Sequence, residues 1–363
     1  MIGENGVSQR NVIIASSGTG GHIYPGIALA KEFQKKSYKP IFFITDNAAA
    51  REILKISGFE YIAFNAIGMP RKISFSFIPF TVKMIFAFLK ALKQILTINP
   101  IAVVGTGAYI AVPVIFAAKI FRKKIFIHEQ NRVPGKANIL LNKITDKTFV
   151  SFKHSEKYFK NKNIFFSGYP IRENILSASK ENALKILNLE NNVFTILVFG
   201  GSLGAVKLNE IVCKTLLGLI QKNKFQVLHI TGSNNYVYIK DQVKGFANYR
   251  VFEYMNDIAS AYAASNIVIC RSGAGTVFEL KALNKFAILV PYPYATDNHQ
   301  YWNAKEIEKS GKIIVIEEKD LTKERLGEKI HMLKNNMEDS AVENIAGIAQ
   351  KLMFEEIIKC IKS

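Results

Sequence analysis

A histidine directly follows a glycine-rich segment near the start of the chain. The segment SGTGGH (17–22) comes after the apolar run VIIAS and before the helix-like run IYPGIALAKEFQK. Glycines allow an anion or a sugar to approach closely, and the free amides at a helix start favour negative charge. Histidine is suited to proton transfer near neutral pH. His22 is therefore a candidate base, and the alternative is a helix-start histidine that contacts only the backbone.

Two more glycine-bearing segments stand between a strand-like and a helix-like run. The segment GGSLG (200–204) lacks the lysine-serine or lysine-threonine ending of a nucleotide-hydrolysing P-loop, but Ser202 and free amides suit a diphosphate. The segment RSGAGT (271–276) precedes Glu279, which suits a ribose diol because an ionised carboxylate only accepts hydrogen bonds. A first-turn glutamate also fits ordinary helix-dipole chemistry. Each segment alone is a weak signal, whereas three in one chain favour a phosphate-bearing ligand.

Two polar clusters, HEQN (128–131) and DNHQ (297–300), each follow a strand-like run. Amide and carboxylate side chains beyond a strand can read sugar hydroxyls, and the alternative is a capping cluster. The sequence contains no D-x-D pair, the usual sign of a metal held against a nucleotide diphosphate. We therefore expect no metal and no cofactor, with the charge neutralised by amides, helix dipoles and basic side chains.

Short β-branched runs alternate with helix-length amphipathic runs, which indicates parallel strands covered on both faces. The predicted strands are NVIIAS (11–16), PIFFIT (40–45), IAVVG (101–105), KIFIH (124–128), FTILVF (194–199), FQVLHI (225–230), NIVIC (266–270) and FAILVP (286–291). The strand-glycine-helix pattern of residues 12–22 restarts at residues 195–205. The fold class is therefore α/β, with two tandem Rossmann-like, doubly wound domains and an active site in the interdomain cleft.

The predicted domains are residues 1–168 and residues 169–339, with the boundary near SGYPIR (167–172). The last helix, about 340–363, lacks a following strand, so we expect it to pack back on the first domain. The apolar run 101–118 contains two glycines and a proline, and it reads as strand, turn and helix rather than as a membrane span.

Composition narrows the class of protein. Three cysteines far apart exclude a disulfide framework, and the first ten residues lack the apolar core of a secretory signal. The net charge of +19 is uneven: residues 1–170 hold 24 basic and 8 acidic side chains, and the remainder hold 24 and 21. The first half therefore faces something anionic: nucleic acid, an acidic membrane surface or a phosphorylated substrate.

Residues 71–93 interleave aromatic and basic side chains. Arg71 and Lys72 precede a phenylalanine-rich run, and Lys83 stands close to Phe86 in the helix-like part. Aromatic bulk bordered by lysine is typical of a surface that dips into anionic lipid. The alternative is a core helix with solvated lysines.

Two other classes of protein stay open at this point. A nicotinamide-binding G-x-G-x-x-G would need its third glycine at residue 23, where Ile23 stands, although Asp46 does end the second predicted strand. A nucleic-acid-binding protein would explain the charge but would leave Glu279 and the cluster at 297–300 without a purpose. We therefore expect no nucleic-acid partner.

With these motifs, the chain resembles the MurG family of GT-B glycosyltransferases from residue 11 to about residue 360. The most specific segments are GTGGHIYPGIALA (18–30), HEQN (128–131), GYPIR (168–172), GGSLGA (200–205), RSGAGTVFEL (271–280) and ATDNHQYWNA (295–304). The resemblance implies inverting, metal-independent transfer of N-acetylglucosamine from UDP-N-acetylglucosamine to the muramyl 4-hydroxyl of lipid I, giving lipid II. It also implies a peripheral protein at the cytoplasmic face of the inner membrane.

The resemblance assigns His22 to catalysis and several residues to the donor. Contacts to UDP-N-acetylglucosamine are implied for Thr19, Gly20, Gly21, Asn131, Arg172, Ser202, Met255, Ala274, Gly275, Thr276, Val277, Phe278, Glu279, His299 and Gln300. Acceptor or membrane contacts are implied for Gly105, Gly107, Tyr109, Arg71, Lys72, Lys83 and Phe86. Glu279 would bind the ribose, and Gln300 would read the sugar hydroxyls.

Two departures from the family pattern affect the acceptor side. Ser17 stands where the family's first loop usually has glycine, and Ala108 adds a methyl group in the second loop, Gly105 to Tyr109. Another GT-B enzyme that transfers a sugar from a UDP-sugar to a different glycolipid is the nearest alternative.

Overall fold

The computed structural model describes residues 10–17, 20–65, 77–201, 204–221, 225–337 and 348–362. The chain divides into two compact units, one comprising Met1–Arg172 with Ile348–Ser363 and the other comprising Glu173–Gly347. Each unit is an α/β layer structure built on one parallel sheet.

The first unit contains a seven-stranded sheet in its described residues. Its strands are β1 (Arg10–Ser16), β2 (Tyr38–Thr45), β3 (Glu60–Phe64), β4 (Ala102–Gly105), β5 (Lys124–Glu129), β6 (Lys147–Val150) and β7 (Ile164–Phe166). They lie in the order β3-β2-β1-β4-β5-β6-β7, and every pairing is parallel. The connecting helices are α1 (Gly20–Lys35), α2 (Ala48–Ile56), α3 (Phe77–Ile98), α4 (Ala111–Ile120) and α5 (Lys136–Leu141), with a 3-10 turn at Lys153–Tyr158.

The second unit repeats this plan with six described strands. They are β8 (Phe194–Phe199), β9 (Phe225–Ile230), β10 (Tyr249–Phe252), β11 (Ile267–Cys270), β12 (Phe286–Leu289) and β13 (Ile313–Val315), in the parallel order β10-β9-β8-β11-β12-β13. Its helices are α6 (Glu173–Ser177), α7 (Lys180–Ile186), α8 (Val206–Ile220), α9 (Tyr236–Gln242), α10 (Ile258–Ala264), α11 (Ala274–Ala282), α12 (His299–Ile307) and α13 (Lys323–Asn336). Short 3-10 turns occupy Ser233–Asn235, Thr296–Asn298, Glu308–Ser310 and Glu318–Asp320.

Strand β1 shows why the predicted apolar runs are continuous. Ile13 and Ala15 pack into a core with α3 and α4, while Val12 and Ile14 join clusters on the other side of the pleat. A strand covered on both faces has no solvent side, so no position in it needs a polar residue. All eight predicted strands lie in the two parallel sheets, which confirms the predicted α/β class.

The last helix, α14 (Ala349–Lys362), belongs to the first unit. Phe354 packs edge-on against Phe33 of α1, with ring centroids 5.1 Å apart, and Met353 is buried in the same cluster. Lys147 forms an ion pair with Glu356 at 2.5 Å beside this contact. The predicted start of this helix, near residue 340, lies outside the described residues.

Residues 101–118 form β4, a turn and most of α4, as the glycines indicated. Across the described parts of the chain, no helix combines the length and apolar character needed to cross a bilayer.

Candidate functional site

The strand orders locate the place where each unit can bind a ligand. In both sheets the chain starts in the middle and winds outward in two directions, so the order reverses between β1 and β4 and between β8 and β11. Ligands of open parallel sheets bind beyond the carboxyl ends of the strands at such a switch point. The described glycines that follow β1, β4, β8 and β11 lie at these ends of the strands.

His22 is held across the switch point of the first unit. It lies in the first turn of α1, and its Nδ1 is 3.1 Å from the carbonyl oxygen of Thr106, which follows β4. The Thr106 hydroxyl donates in return to the His22 carbonyl oxygen at 2.9 Å. This reciprocal contact joins two segments that are 84 residues apart, and it fixes both the helix start and the imidazole ring.

Gly107 is the position where only glycine fits beside that ring. Its φ is +99°, and a Cβ there would stand 2.7 Å from His22 Nδ1. The next residue, Ala108, also has a left-handed backbone with φ of 66°. Tyr109 then meets Phe80 edge-on at 6.3 Å, while Gly105 is buried against the side chains of α4. The predicted acceptor loop therefore connects His22 to the aromatic start of α3.

The cluster at 128–131 separates into structural and accessible parts. Glu129 is 1% exposed, and its carboxylate accepts from the backbone N–H groups of Asn131 and Gly135 and from the Asn138 amide. Burial raises the pKa of Glu129, opposed by these hydrogen bonds. His128 is fully buried, its Nε2 is 2.9 Å from the Ser151 hydroxyl, and burial lowers its pKa to about 3. These two residues fix the turn, as a capping cluster would.

The guanidinium of Arg172 lies 3.8 Å from the centre of the Tyr24 ring, which belongs to α1. Stacking on an aromatic face holds the cation in one place without neutralising it. The structure thus positions Arg172 beside Tyr24, which follows His22 by two residues in α1.

In the second unit, the loop after β8 turns sharply against the end of β9. Gly204 has a φ of +78°, and a Cβ there would stand 2.1 Å from the carbonyl oxygen of Thr231. Helix α8 begins two residues later at Val206, so its first amides face the loop. Ser202 lies outside the described residues, as do Thr19, Arg71 and Lys72.

Glu279 projects from α11, which begins at Ala274. The Tyr262 hydroxyl of α10 donates to its Oε2 at 3.0 Å, and Tyr262 itself is 1% exposed. The prediction that Glu279 lies in the first turn is wrong, because it is the sixth residue of the helix. Helix-dipole stabilisation acts within the first turn and so does not explain this carboxylate.

The other predicted residues of this loop divide by burial. Ala274 and Val277 are buried, whereas Gly275, Thr276 and Phe278 are half-buried beside Glu279. The buried Arg271 fixes the loop from below, because its guanidinium donates to the carbonyl oxygens of Val290 and Pro291 and pairs with Glu318.

His299 and Gln300 open α12 after two residues with left-handed backbones, Asp297 and Asn298. His299 Nδ1 lies 2.8 Å from the Thr296 carbonyl oxygen, and burial lowers the pKa of its imidazole. Gln300 Oε1 accepts from the Tyr292 backbone N–H at 3.0 Å. Met255 is half-buried between β10 and α10, whose first turn is capped by Asp257.

Helix α3 carries apolar residues on two faces. Ala87, Ala91 and Ile95 are buried in the core shared with α4, whereas Phe86 is 67% exposed in a second stripe. The exposed stripe on α3 consists of Ile78, Val82, Ile85, Phe86, Leu89 and Leu96. Beside it lies a cavity of about 780 Å³ with apolar walls from α3, α4 and α5, and its lining also includes Tyr109, Lys119 and Lys136.

Sequence reasoning missed three residues that organise these sites: Thr106, Tyr24 and Tyr262. Thr106 stood within the predicted loop, but its role depends on a backbone contact that no residue pattern reports. Tyr24 and Tyr262 read as ordinary helix residues, and only the fold places the Tyr24 ring beside Arg172 and the Tyr262 hydroxyl beside Glu279.

Comparison with known proteins matches both units. Residues 12–150 match the glycosyltransferase family 28 N-terminal domain, and residues 195–359 match the glycosyltransferase family 28 C-terminal domain. The UDP-N-acetylglucosamine--N-acetylmuramyl-(pentapeptide) pyrophosphoryl-undecaprenol N-acetylglucosamine transferase of Thermoanaerobacter sp. (strain X514) is 38% identical to this chain. That alignment covers 97% of this chain and 99% of the relative.

Two solved structures share the fold. MurG of Acinetobacter baumannii aligns with a TM-score of 0.68 at 24% identity, covering 98% of this chain and 95% of its own. UDP-GlcNAc 2-epimerase of Neisseria meningitidis, bound to UDP-GlcNAc, aligns with a TM-score of 0.71 at 16% identity, covering 96% and 100%. The two parallel-sheet units are those of a GT-B fold. On the strength of the near full-length sequence similarity, the chain belongs to the MurG family of glycosyltransferases.

Proposed function

We propose that this protein transfers N-acetylglucosamine from UDP-N-acetylglucosamine to lipid I, an undecaprenyl-pyrophosphoryl-linked muramyl pentapeptide, and so produces lipid II. The single observation that carries this proposal is 38% identity, over nearly the full length, to a relative named for that reaction. The residues at the two switch points supply the groups that such a transfer requires.

The second unit is proposed to bind the donor nucleotide. Glu279, held by Tyr262 at 3.0 Å, would accept hydrogen bonds from the ribose hydroxyls. The amides at the starts of α8 and α11 would take up the diphosphate charge, because a helix start presents unpaired N–H groups. Gln300 and His299 would contact the sugar, and Met255 the uracil.

The first unit is proposed to bind the acceptor and to supply the base. His22 would take the proton of the muramyl 4-hydroxyl as its oxygen attacks C1 of the donor sugar. The C1–O bond to UDP breaks in the same step, which inverts the configuration at C1. Arg172, held on Tyr24, would stabilise the negative charge that develops on the leaving UDP.

The same unit is proposed to sit on the anionic cytoplasmic face of the inner membrane as a peripheral protein. The support is the exposed apolar stripe on α3, the adjoining apolar cavity, and lysines at both. Apolar side chains bordered by cations match the interface of an anionic bilayer.

The experiment that tests the activity measures UDP release from UDP-N-acetylglucosamine, with and without a lipid I analogue. We expect release only with that acceptor. Release with diacylglycerol instead would favour the alternative glycolipid transferase and would overturn the acceptor assignment.

A His22→Ala variant tests the proposed base. Turnover should fall by about 10²–10⁴-fold, since general base catalysis typically contributes that much, while UDP binding changes little. A fall of less than about five-fold would show that His22 is only a structural loop residue.

A further inference from the structure

Three groups surround one nitrogen of the His22 ring. Nδ1 is 3.1 Å from the Thr106 carbonyl oxygen, the Gln130 amide contacts the same nitrogen, and Gly107 passes below it. Both Thr106 and Gln130 are buried, at 1% and 3% exposure. Polar atoms at such a site need partners, because an unsatisfied buried group costs about 1–3 kcal/mol.

The Thr106 carbonyl favours a proton on Nδ1. A carbonyl oxygen can only accept, so its contact with Nδ1 requires a proton on that nitrogen. If Nδ1 instead accepted from an N–H of Gln130, the lone pairs of Nδ1 and of the Thr106 oxygen would face each other. The Nδ1–H tautomer removes that repulsion.

The Gln130 amide fits the same conclusion. With its Nε2 toward the ring, its Oε1 is buried and meets no hydrogen-bond donor among the described residues. The two ends of an amide have nearly the same shape and exchange by a half-turn. With that half-turn, Oε1 reaches Nδ1 and shares its proton with Thr106.

We infer that Gln130 is a positioning residue, which accepts from His22 Nδ1–H through Oε1 and holds the ring in the tautomer whose Nε2 carries the lone pair. This inference rests on the proposed function, in which His22 is the base. A base needs that lone pair, and a ring free to exchange tautomers would present it only part of the time.

An uncharged amide suits this task better than a carboxylate. It fixes the tautomer without a negative charge, which would favour the imidazolium form and remove the lone pair. Two titratable residues, His128 and Glu129, directly precede Gln130 at the end of β5. His128 is neutral because burial lowers its pKa to about 3, and the Glu129 carboxylate is turned toward Asn131, Gly135 and Asn138. Arg172, stacked on Tyr24, is the neighbouring cation on the α1 side.

The first test reads the tautomer directly, independently of activity. Nitrogen-15 NMR of histidine-labelled protein, with the His22 signals identified by their loss in His22→Gln, should show Nδ1 protonated and Nε2 unprotonated at neutral pH. In Gln130→Met, which removes the amide at similar size, we expect a mixture of tautomers. A parent spectrum with the proton on Nε2 would overturn the inference, even if the enzyme is active.

The second test uses the pH profile of turnover. Gln130→Glu places a carboxylate at Nδ1–H, so the acid limb of the profile should move up by about 1–3 pH units. Gln130→Met should lower kcat about ten-fold or more, with the KM for UDP-N-acetylglucosamine changed less than two-fold. An unmoved acid limb in a folded Gln130→Glu protein would contradict the inference.

Gln350 of α14 provides a matched control. It is also a buried glutamine, at 4% exposure, whose Oε1 meets no donor among the described residues, and it belongs to the same unit. Gln350→Met should lose stability comparably, with no change in the His22 tautomer or the pH profile. If Gln350→Met altered the His22 tautomer and the pH profile as well, the changes seen in the Gln130 variants would come from lost packing alone, which would overturn the inference.

Discussion

Glu279 is the side chain on which the nucleotide affinity of the second unit should depend most. It is the ionisable acceptor of its loop, and the buried Tyr262 holds it in one orientation. Glu279→Ala would remove the charge-assisted hydrogen bonds proposed to the ribose, which should cost about 1.5–3 kcal/mol, or roughly ten-fold or more in UDP affinity. Isothermal titration calorimetry measures this directly.

Tyr262→Phe is the matched control for this change. It removes the hydroxyl that orients Glu279 but keeps the carboxylate and the ring that packs on Phe199. We expect a smaller loss of UDP affinity than in Glu279→Ala. Equal UDP affinity in Glu279→Ala and the parent would remove the ribose assignment.

Ala108 carries a backbone strain that glycine would relieve. Its φ of 66° lies in the left-handed region, where the Cβ of an L-residue is crowded at a cost of roughly 1–2 kcal/mol. Ala108→Gly should therefore raise the free energy of unfolding by about 0.5–1 kcal/mol, after the entropy that glycine loses on folding. Denaturant titration should show the opposite sign for Ala49→Gly, an exposed position inside α2.

Residue types indicated which side chains are candidates for the site, but they did not indicate the geometry of the site. His22, Gln130 and Glu279 stood out because their side chains suit proton transfer or sugar contacts. The tie between His22 and Thr106 could not be predicted, because a backbone carbonyl is the same in every residue type. Likewise, the sequence order HEQN does not reveal that Glu129 is buried while Asn131 is only half-buried.

At the scale of elements, apolar-rich runs of five or six residues predicted the central strands and their parallel arrangement. The strands that were not predicted lie toward the sheet margins: β3, β6, β7, β10 and β13. They are three to five residues long, and β7 has partly exposed residues throughout. Their conformation comes from pairing with a neighbouring strand, which is a tertiary effect that a local pattern does not carry.

The buried histidine of β9 should make the second unit sensitive to acid. His229 lies 2.8 Å from the Tyr249 hydroxyl and 3.1 Å from Asn209 Oδ1, and burial lowers its pKa to about 3. Below pH 6.5 His229 becomes protonated in the unfolded chain, whereas in the folded chain it becomes protonated only near pH 3. Stability is therefore lost as the pH falls through that window, by about 2 kcal/mol between pH 7 and 5.

Urea unfolding of His229→Gln at pH 7 and pH 5 measures this contribution. The variant should lose less stability than the parent over that interval, whatever its stability at pH 7. His331→Gln, on the exposed side of α13, should keep the dependence of the parent. If His229→Gln and the parent lost the same stability between pH 7 and pH 5, His229 would not be the source of the acid sensitivity.

For the whole molecule, the charge asymmetry predicts how the first unit meets lipid. Its basic excess accompanies the exposed stripe on α3, where Lys83 and Lys93 are suitable sites for charge reversal. Lys90 is left unchanged because it donates to the Ala63 carbonyl oxygen at 2.6 Å. Each basic residue near an anionic surface contributes about 1 kcal/mol, so Lys83→Glu with Lys93→Glu should weaken vesicle binding about thirty-fold or more.

Flotation with anionic and neutral vesicles checks this prediction. Lys214→Glu with Lys309→Glu, at exposed sites of the second unit, should leave binding to anionic vesicles unchanged. Phe86→Ser should weaken the binding that persists at high salt, where charges are screened beyond about 3 Å. If the variant with Lys83→Glu and Lys93→Glu bound anionic vesicles as strongly as the parent, α3 would be an ordinary packed helix and not a lipid-binding one.

The fold by itself does not choose among reactions. A UDP-GlcNAc 2-epimerase aligns with this chain at a TM-score of 0.71, close to the 0.68 of a MurG. The two-sheet fold is common to both proteins, so the reaction depends on the side chains that each sequence adds to it.

Because α14 belongs to the first unit but is synthesised last, the first unit can be completed only at the end of translation. Phe354 covers the surface of α1 around Phe33, and residues 173–347 are synthesised between the two stretches of the chain that form the first unit. At about 5–20 residues per second, that interval lasts roughly 10–35 s. During this time the apolar side chains of the first unit that Met353 and Phe354 cover in the folded protein are still uncovered.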